Sequence, residues 1–152
     1  MALNFRPAAV ADIAACIDIR GRTRENAVPA QRLAAMGITA DSWAKDVETG
    51  ALSGFVCTEG DRIAGYCFGD IASGEVVVLA LLPQYEAQGA GRRLLDLVIG
   101  RLGAAGHQRL FLGCSADPKT RSYGFYRHLG WCATGAFDRF NDEILEFLLP
   151  RP

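Results

Sequence analysis

The segment Gln88-Gly89-Ala90-Gly91-Arg92-Arg93 concentrates the most chemistry in this chain. Glycine lets a backbone approach a ligand closely, and the first N–H groups of a helix have no internal partner. The helix dipole favours an anion at the same place. Arg92 and Arg93 add positive charge, so the chemistry on offer is recognition of a phosphate or pyrophosphate. A Walker loop would require Gly-Lys-Ser/Thr, which is absent. A dinucleotide fingerprint would place a third glycine where Leu94 stands, with an acid roughly 20 residues further on, and neither is found. On this segment alone, an ordinary glycine-containing helix start remains the alternative.

The elements around the loop follow from periodicity. Glu75 to Leu82 is a continuous apolar run ending at Pro83, and reads as a central strand buried on both faces. After the loop, Leu94, Leu95, Val98 and Leu102 share one face of a helix over Gly89–Gly106. Upstream, Leu3–Arg6 reads as a strand. Val10, Ile13 and Ile17 give the inner face of a helix running from Ala9 towards Arg24. Pro29–Met36 is a second helix ended by Gly37, and Asp41 or Thr39 caps a third around Trp43, which Gly50 closes. Phe55–Thr58 and Ile63–Ile71 form a hairpin through the Glu59–Arg62 turn, and Ser73-Gly74 turns the chain into the apolar run. Arg109–Cys114, Trp131–Phe137 and Glu143–Leu149 are further strands, and Ser122–Leu129 is a short helix. The order β-α-α-α-β-β-β-α-β-α-β-β predicts one α/β domain over residues 1–152 with a mixed sheet.

Composition narrows the function classes. The chain has 152 residues, half of them hydrophobic, and a net charge of −1, which fits a globular protein. A nucleic-acid binder would show a basic excess, so nucleic acid is not an expected partner. Lysine occurs only at Lys45 and Lys119, leaving arginine as the main cation. The five cysteines are scattered without a CxxC, so neither a zinc site nor a disulfide framework is expected, and four of them read as small core residues in a reducing cytoplasm. The first residues lack the pattern of a signal peptide, and no run approaches the ~20 apolar residues of a membrane helix, so no membrane partner is expected. Nothing in the sequence excludes a homodimer.

Two blocks carry a family resemblance. Leu79-Ala80-Leu81-Leu82-Pro83-Gln84-Tyr85-Glu86-Ala87-Gln88-Gly89-Ala90-Gly91-Arg92-Arg93-Leu94-Leu95 resembles the acetyl-CoA signature of the GNAT superfamily of N-acetyltransferases. Ser122-Tyr123-Gly124-Phe125-Tyr126-Arg127-His128-Leu129-Gly130-Trp131 resembles that family's Ala-x-x-Phe-Tyr-x-x-x-Gly-Phe segment. The resemblance implies a central mixed, mostly antiparallel sheet of about seven strands flanked by helices and splayed between the fourth and fifth. It implies acetyl-CoA as cosubstrate, with no metal, and transfer of acetyl to an amine acceptor by direct attack in a ternary complex. Backbone N–H groups of Gln88, Gly89, Ala90, Gly91, Arg92 and Arg93 would hold the pyrophosphate, and the backbone at Leu81 and Leu82 would pair with the pantetheine arm. Tyr126 would donate a proton to the departing thiolate; its plainer role is packing. The pattern is broken at Glu86, where Gln or Arg is usual, and an acid there should point to solvent. It is broken again at Lys119, where Asn is usual, and Lys119 would meet a CoA phosphate or stay exposed.

Direct transfer requires a neutral amine and hence a base. Glu75 matches by position the glutamate that serves as base in histone-acetylating members, and partial burial would raise its pKa usefully; it also sits in a turn, where acids are common. Cys114 could in principle carry acetyl covalently, but no histidine is placed to activate it, and it reads as a core or cleft-wall residue. His107 and His128 read as surface or packing residues. Acceptor choice in the family lies with Arg20–Asn26 and Ala136–Glu143. Arg22 and Arg24 would meet an anionic group or merely end a helix, Asp138, Asp142 and Glu143 would attract a cationic amine, and Trp43, Phe137 and Phe140 would line the cleft.

Overall fold

A computed structural model describes residues 2–150. Its strands form two sheets. Strands β1 (Asn4–Pro7), β2 (Leu52–Glu59), β3 (Arg62–Asp70) and β4 (Val76–Leu81) make a four-stranded antiparallel sheet in the order β1-β2-β3-β4. Strands β5 (Arg109–Cys114), β6 (Cys132–Phe137) and β7 (Glu143–Leu148) make a three-stranded one in the order β5-β7-β6. The halves meet at one parallel bridge between Glu75 and Phe111, where the Phe111 N–H donates to Gly74 O at 3.3 Å. Beyond that bridge β4 and β5 belong to different ladders, so the expected splay between the fourth and fifth strands is present.

Helix α4 (Ala90–Ala104) covers one face of the first sheet. Leu94, Leu95, Val98 and Leu102 are fully buried, worth roughly 1.5–3 kcal/mol each. The helix lies close because β3 presents Gly69, where a Cβ would stand 3.0 Å from both Val98 and Leu102. On the opposite face pack α1 (Ile13–Arg20) and α3 (Ala40–Thr49), with α2 (Ala30–Ala35) against α1. Trp43 of α3 meets Tyr66 and Phe68 of β3 edge-on, at 5.7 and 5.4 Å between ring centroids. Helix α5 (Arg121–His128) follows β5. Cys16, Cys57, Cys67 and Cys114 are buried, as small core residues should be, and Cys132 is exposed.

Three local expectations change, and one choice left open is decided. The helix expected from Ala9 begins instead at Ile13, after one 3-10 turn over Val10–Asp12, and ends at Arg20. The buried Asp12 carboxylate accepts the Ala9 N–H at 2.7 Å and both terminal nitrogens of Arg6 at 2.8 Å, which moves the helix start and leaves Val10 exposed. Strand β2 starts at Leu52, because pairing with β3 extends it through a stretch that lacks β-branched residues. Thr39, rather than Asp41, caps α3, its hydroxyl accepting from the Ser42 N–H. Finally, β4 is not buried on both faces: Val77 is 44% exposed. The β3–β4 register slips between Phe68 and Gly69, pairing them with Val78 and Val76 and leaving Val77 without a partner, beside the splay where no neighbouring strand covers it.

Candidate active site

The loop between β4 and α4 is built to leave its backbone donors open. After β4 a single 3-10 turn, Pro83–Tyr85, buries Tyr85, whose hydroxyl donates to Glu59 Oε1 at 3.0 Å. The chain is extended at Glu86 and then left-handed at Ala87 (φ 62°) and Gly89 (φ 81°). The first helical bond is Arg93 N–H to Gly89 O at 3.1 Å. Among the described residues, the N–H groups of Gln88, Gly89, Ala90, Gly91 and Arg92 therefore have no backbone acceptor. A Cβ at Gly89 would meet nothing within 4 Å, so glycine is needed there for its backbone angle and not for space. Five free donors at the positive end of a 15-residue helix suit a diphosphate. The Arg93 N–H is already bonded, and its guanidinium lies 5.0 Å from the centroid of the Phe5 ring, so that residue reaches the loop only as a flanking cation.

On β4, the Leu82 N–H donates to Ala64 O at 2.9 Å and so faces β3. Strand alternation turns the polar groups of Leu81 to the open edge beside the splay. The second sequence block folds against this wall. A Cβ at Gly91 would stand 3.4 Å from Leu81 and 3.6 Å from Phe125 of α5, so β4, the first turn of α4 and α5 meet there. Tyr126 is buried between Phe125 and Trp131, at centroid distances of 5.1 and 6.1 Å. Burial pushes its hydroxyl pKa upward, Cys67 and Cys114 add to this, and Arg20 opposes it. The proton stays on Tyr126 near neutrality.

Glu75 sits at the closed end of the splay, half-buried, directly after the turn. Its pKa is raised, first by burial and then by Asp70 and Asp138. The turn is held by His107, whose Nε2 lies 2.6 Å from Ile71 O. His107 is thus a packing residue with a defined partner. The β6–β7 hairpin folds over β5: Asp138 Oδ2 lies 2.7 Å from where a Gly113 Cβ would be, with Asp142 beside it. Asp138 Oδ1 accepts the N–H groups of Phe140 and Asp142, at 2.9 and 3.0 Å. Burial and Asp138 raise the Asp142 pKa, while Arg20 lowers it. Glu143 does not join these acids, because it is bonded to Arg127. Burial raises the Cys114 thiol pKa, which suits a wall residue and not a nucleophile.

Glu86 departs from expectation. Its side chain is 14% exposed, and Oε2 accepts from Arg24 Nε and Arg121 Nη1, each at 2.9 Å. Two guanidinium groups explain why a carboxylate can turn inward beside an anion-binding loop. Arg22 pairs with Asp18 on the surface, and Lys119 is exposed, its N–H donating to Asp117 Oδ1. Trp43 belongs to the core and not to the cleft surface, whereas Phe137 and Phe140 are about half-exposed. Sequence reasoning did not single out Arg121, or Arg20, whose charge acts on Tyr66, Tyr126 and Asp142 together. No local pattern marks either residue: the partners of Arg121, Glu25 and Glu86, lie far away along the chain, and the groups on which the Arg20 charge acts are equally distant, although its own hydrogen bond is local, to Asn26 O.

Comparison with known proteins agrees with this geometry. The chain is similar along nearly its full length to those of solved acetyltransferases. With the PaiA N-acetyltransferase of Thermoplasma acidophilum, solved with coenzyme A, it shares 15% identity over 97% of this chain and 99% of that one, with a TM-score of 0.72. YncA of Salmonella typhimurium, solved with its cofactor acetyl-CoA, gives 18% identity, coverage of 100% and 96%, and a TM-score of 0.77. The ribosomal-protein-S18-alanine N-acetyltransferase of Escherichia coli gives 19%, 99% and 96%, and 0.71. A sequence search of curated proteins returns no significant match. The acetyltransferase (GNAT) family profile matches residues 15–131, which contain the glycine loop, the splay and α5, and the chain belongs to that family.

Proposed function

We propose that this chain works as a single catalytic unit, an acetyl-CoA-dependent N-acetyltransferase that acts by direct transfer to a primary amine of a small molecule or peptide. The observation that carries the reading is the run of free N–H groups from Gln88 to Arg92 beside an open strand edge at Leu81. In this reading those N–H groups hold the pyrophosphate, with Arg92 and Arg93 flanking, and the backbone at Leu81 pairs with the pantetheine arm, whereas Leu82, expected to share that role, has its N–H bonded to Ala64 O and its carbonyl to the Tyr85 N–H. Acetyl-CoA supplies an activated thioester when bound.

Tyr126 keeps the proton on its hydroxyl because burial disfavours the phenolate, so it has a proton to give to a leaving thiolate, although the same burial makes it a weaker acid than a free tyrosine. Glu75 takes a proton from the acceptor amine, and its raised pKa brings the exchange closer to neutrality. Asp138 and Asp142 give the acceptor side a negative potential, which favours an amine that carries positive charge when it arrives. Lys119 is exposed on the approach to α5, where it would meet a cofactor phosphate. A screen of small amines and peptides with free-thiol detection tests the reading. Turnover with a cationic amine is the expected result. Tight coenzyme A binding with no turnover across the panel would replace it with a non-catalytic acyl-CoA-binding module, and turnover confined to protein substrates would make it a lysine or N-terminal acetyltransferase.

A further inference from the structure

We infer that Glu86 is a positioning residue: its carboxylate ties the loop after α1 and the first turn of α5 to the glycine loop, and so sets the width of the cleft where cofactor and Tyr126 meet. The inference rests on the acetyl-CoA reading of the site. Arg24 Nε and Arg121 Nη1 converge on the same oxygen, Glu86 Oε2, at 2.9 Å each. The Arg121 backbone N–H in turn donates to Glu25 Oε1 at 2.9 Å, which caps the start of α5. Because Arg24 and Glu25 are adjacent, the four residues close a ring that links three segments of chain. A carboxylate only 14% exposed, between arginines 58% and 56% exposed, is the anchored member of that ring.

An ordinary surface ion pair contributes about 0–1 kcal/mol and positions nothing. Two charge-assisted bonds on one largely buried acceptor are stronger and directional. Tyr126 follows Arg121 on the same short helix, and Phe125 lies 3.6 Å from where a Cβ on Gly91, in the first turn of α4, would stand. Releasing the start of α5 therefore moves Tyr126 relative to the glycine loop. A misplacement of about 1 Å can cost on the order of 100-fold in rate.

Glu86→Gln keeps the size of the side chain and removes its charge. The experiment compares wild type, Glu86→Gln, Glu86→Asp, Arg121→Gln and the Glu86→Gln/Arg121→Gln double variant. It measures Kd for coenzyme A by calorimetry, and kcat and KM with the best amine from the acceptor screen. Thermal unfolding and amide exchange of α5 are recorded alongside. Glu86→Gln is expected to weaken coenzyme A binding and lower kcat, each by roughly ten-fold, and to speed amide exchange across Arg121–His128. Arg121→Gln should cost as much, the double variant should cost no more than either single one, and Glu86→Asp should recover part of the loss. A lowered Tm with unchanged Kd, kcat and exchange would make the ring a plain stabilising contact and overturn the inference. Should Glu86→Gln fail to fold, Arg121→Gln with wild-type Kd and kcat would overturn it equally. Wild type that fails to bind coenzyme A would instead sink the functional reading on which this rests.

Discussion

The two walls of the cleft are made in different ways. The β4 wall is one unbroken stretch, from Glu75 through the glycine loop into α4, and its donors are backbone N–H groups. The wall opposite is assembled from side chains of distant segments: Arg24 and Glu25 after α1, Tyr126 on α5, Asp138 and Asp142 on the last hairpin. A backbone site tolerates most substitutions, because any residue except proline keeps its N–H. A side-chain site depends on every member. On the proposed reading, in which the β4 wall holds the cofactor and the opposite wall meets the acceptor, the first should therefore fail at few positions but severely, and the second at many positions by smaller steps.

The largest effect is expected on the first wall. Gly89→Glu puts a carboxylate at the mouth of the donor array and should weaken acetyl-CoA binding at least ~100-fold, measured by calorimetry. The fold should survive, because a Cβ there meets nothing within 4 Å and the left-handed backbone costs only about 1–2 kcal/mol. Affinity equal to wild type would remove the distinction between the walls. On the second wall, Tyr126→Phe should lower kcat about 100-fold while leaving the Kd for coenzyme A unchanged. A loss of binding instead would move Tyr126 to the cofactor side. At the junction of the two walls, Glu75→Gln should slow turnover roughly ten-fold at neutral pH. A carboxylate accepts a proton only when ionised, so on the proposed role of Glu75 the wild-type rate should fall as pH drops through its raised pKa, and the variant should lose that acidic limb. Superimposable pH profiles would dismiss Glu75 as base. The smallest change is expected from Asp138→Asn. Asp138 helps to raise the Glu75 pKa, so the limb should shift to lower pH, and KM for a cationic amine should rise by about two- to five-fold. An unshifted limb would separate Asp138 from the base.

The same contrast explains what could be read without coordinates. The β4 wall is contiguous, so period-3.6 spacing from Leu94 to Leu102, the apolar run before Pro83 and the glycines between them are enough to place strand, loop and helix. Strand count and the place of the splay followed from the family resemblance. The Glu86 side chain was misjudged because its partners, Arg24 and Arg121, are 62 and 35 residues away, and an isolated acid next to an anion site has no reason to turn inward. Val77 was misjudged for a related reason: an apolar run shows that a strand has hydrophobic neighbours but not that the sheet opens beside it. The early helix start failed through Asp12, whose bonds to Arg6 and the Ala9 N–H outcompeted a regular first turn.

The single bridge between Glu75 and Phe111 also bears on how the chain comes apart. Each half-sheet is drawn from one continuous stretch of chain, β1 to β4 and then β5 to β7, and among the described residues backbone hydrogen bonds between the half-sheets are confined to that junction. Such a chain has two sequence-local blocks, each with its own cooperativity, and a seam between them. Native-state exchange should find the seam opening at lower free energy than either block unfolds. A ligand lying along it would act as the missing strand, so cofactor concentration would set how tightly the two blocks are coupled as well as how fast the enzyme turns over.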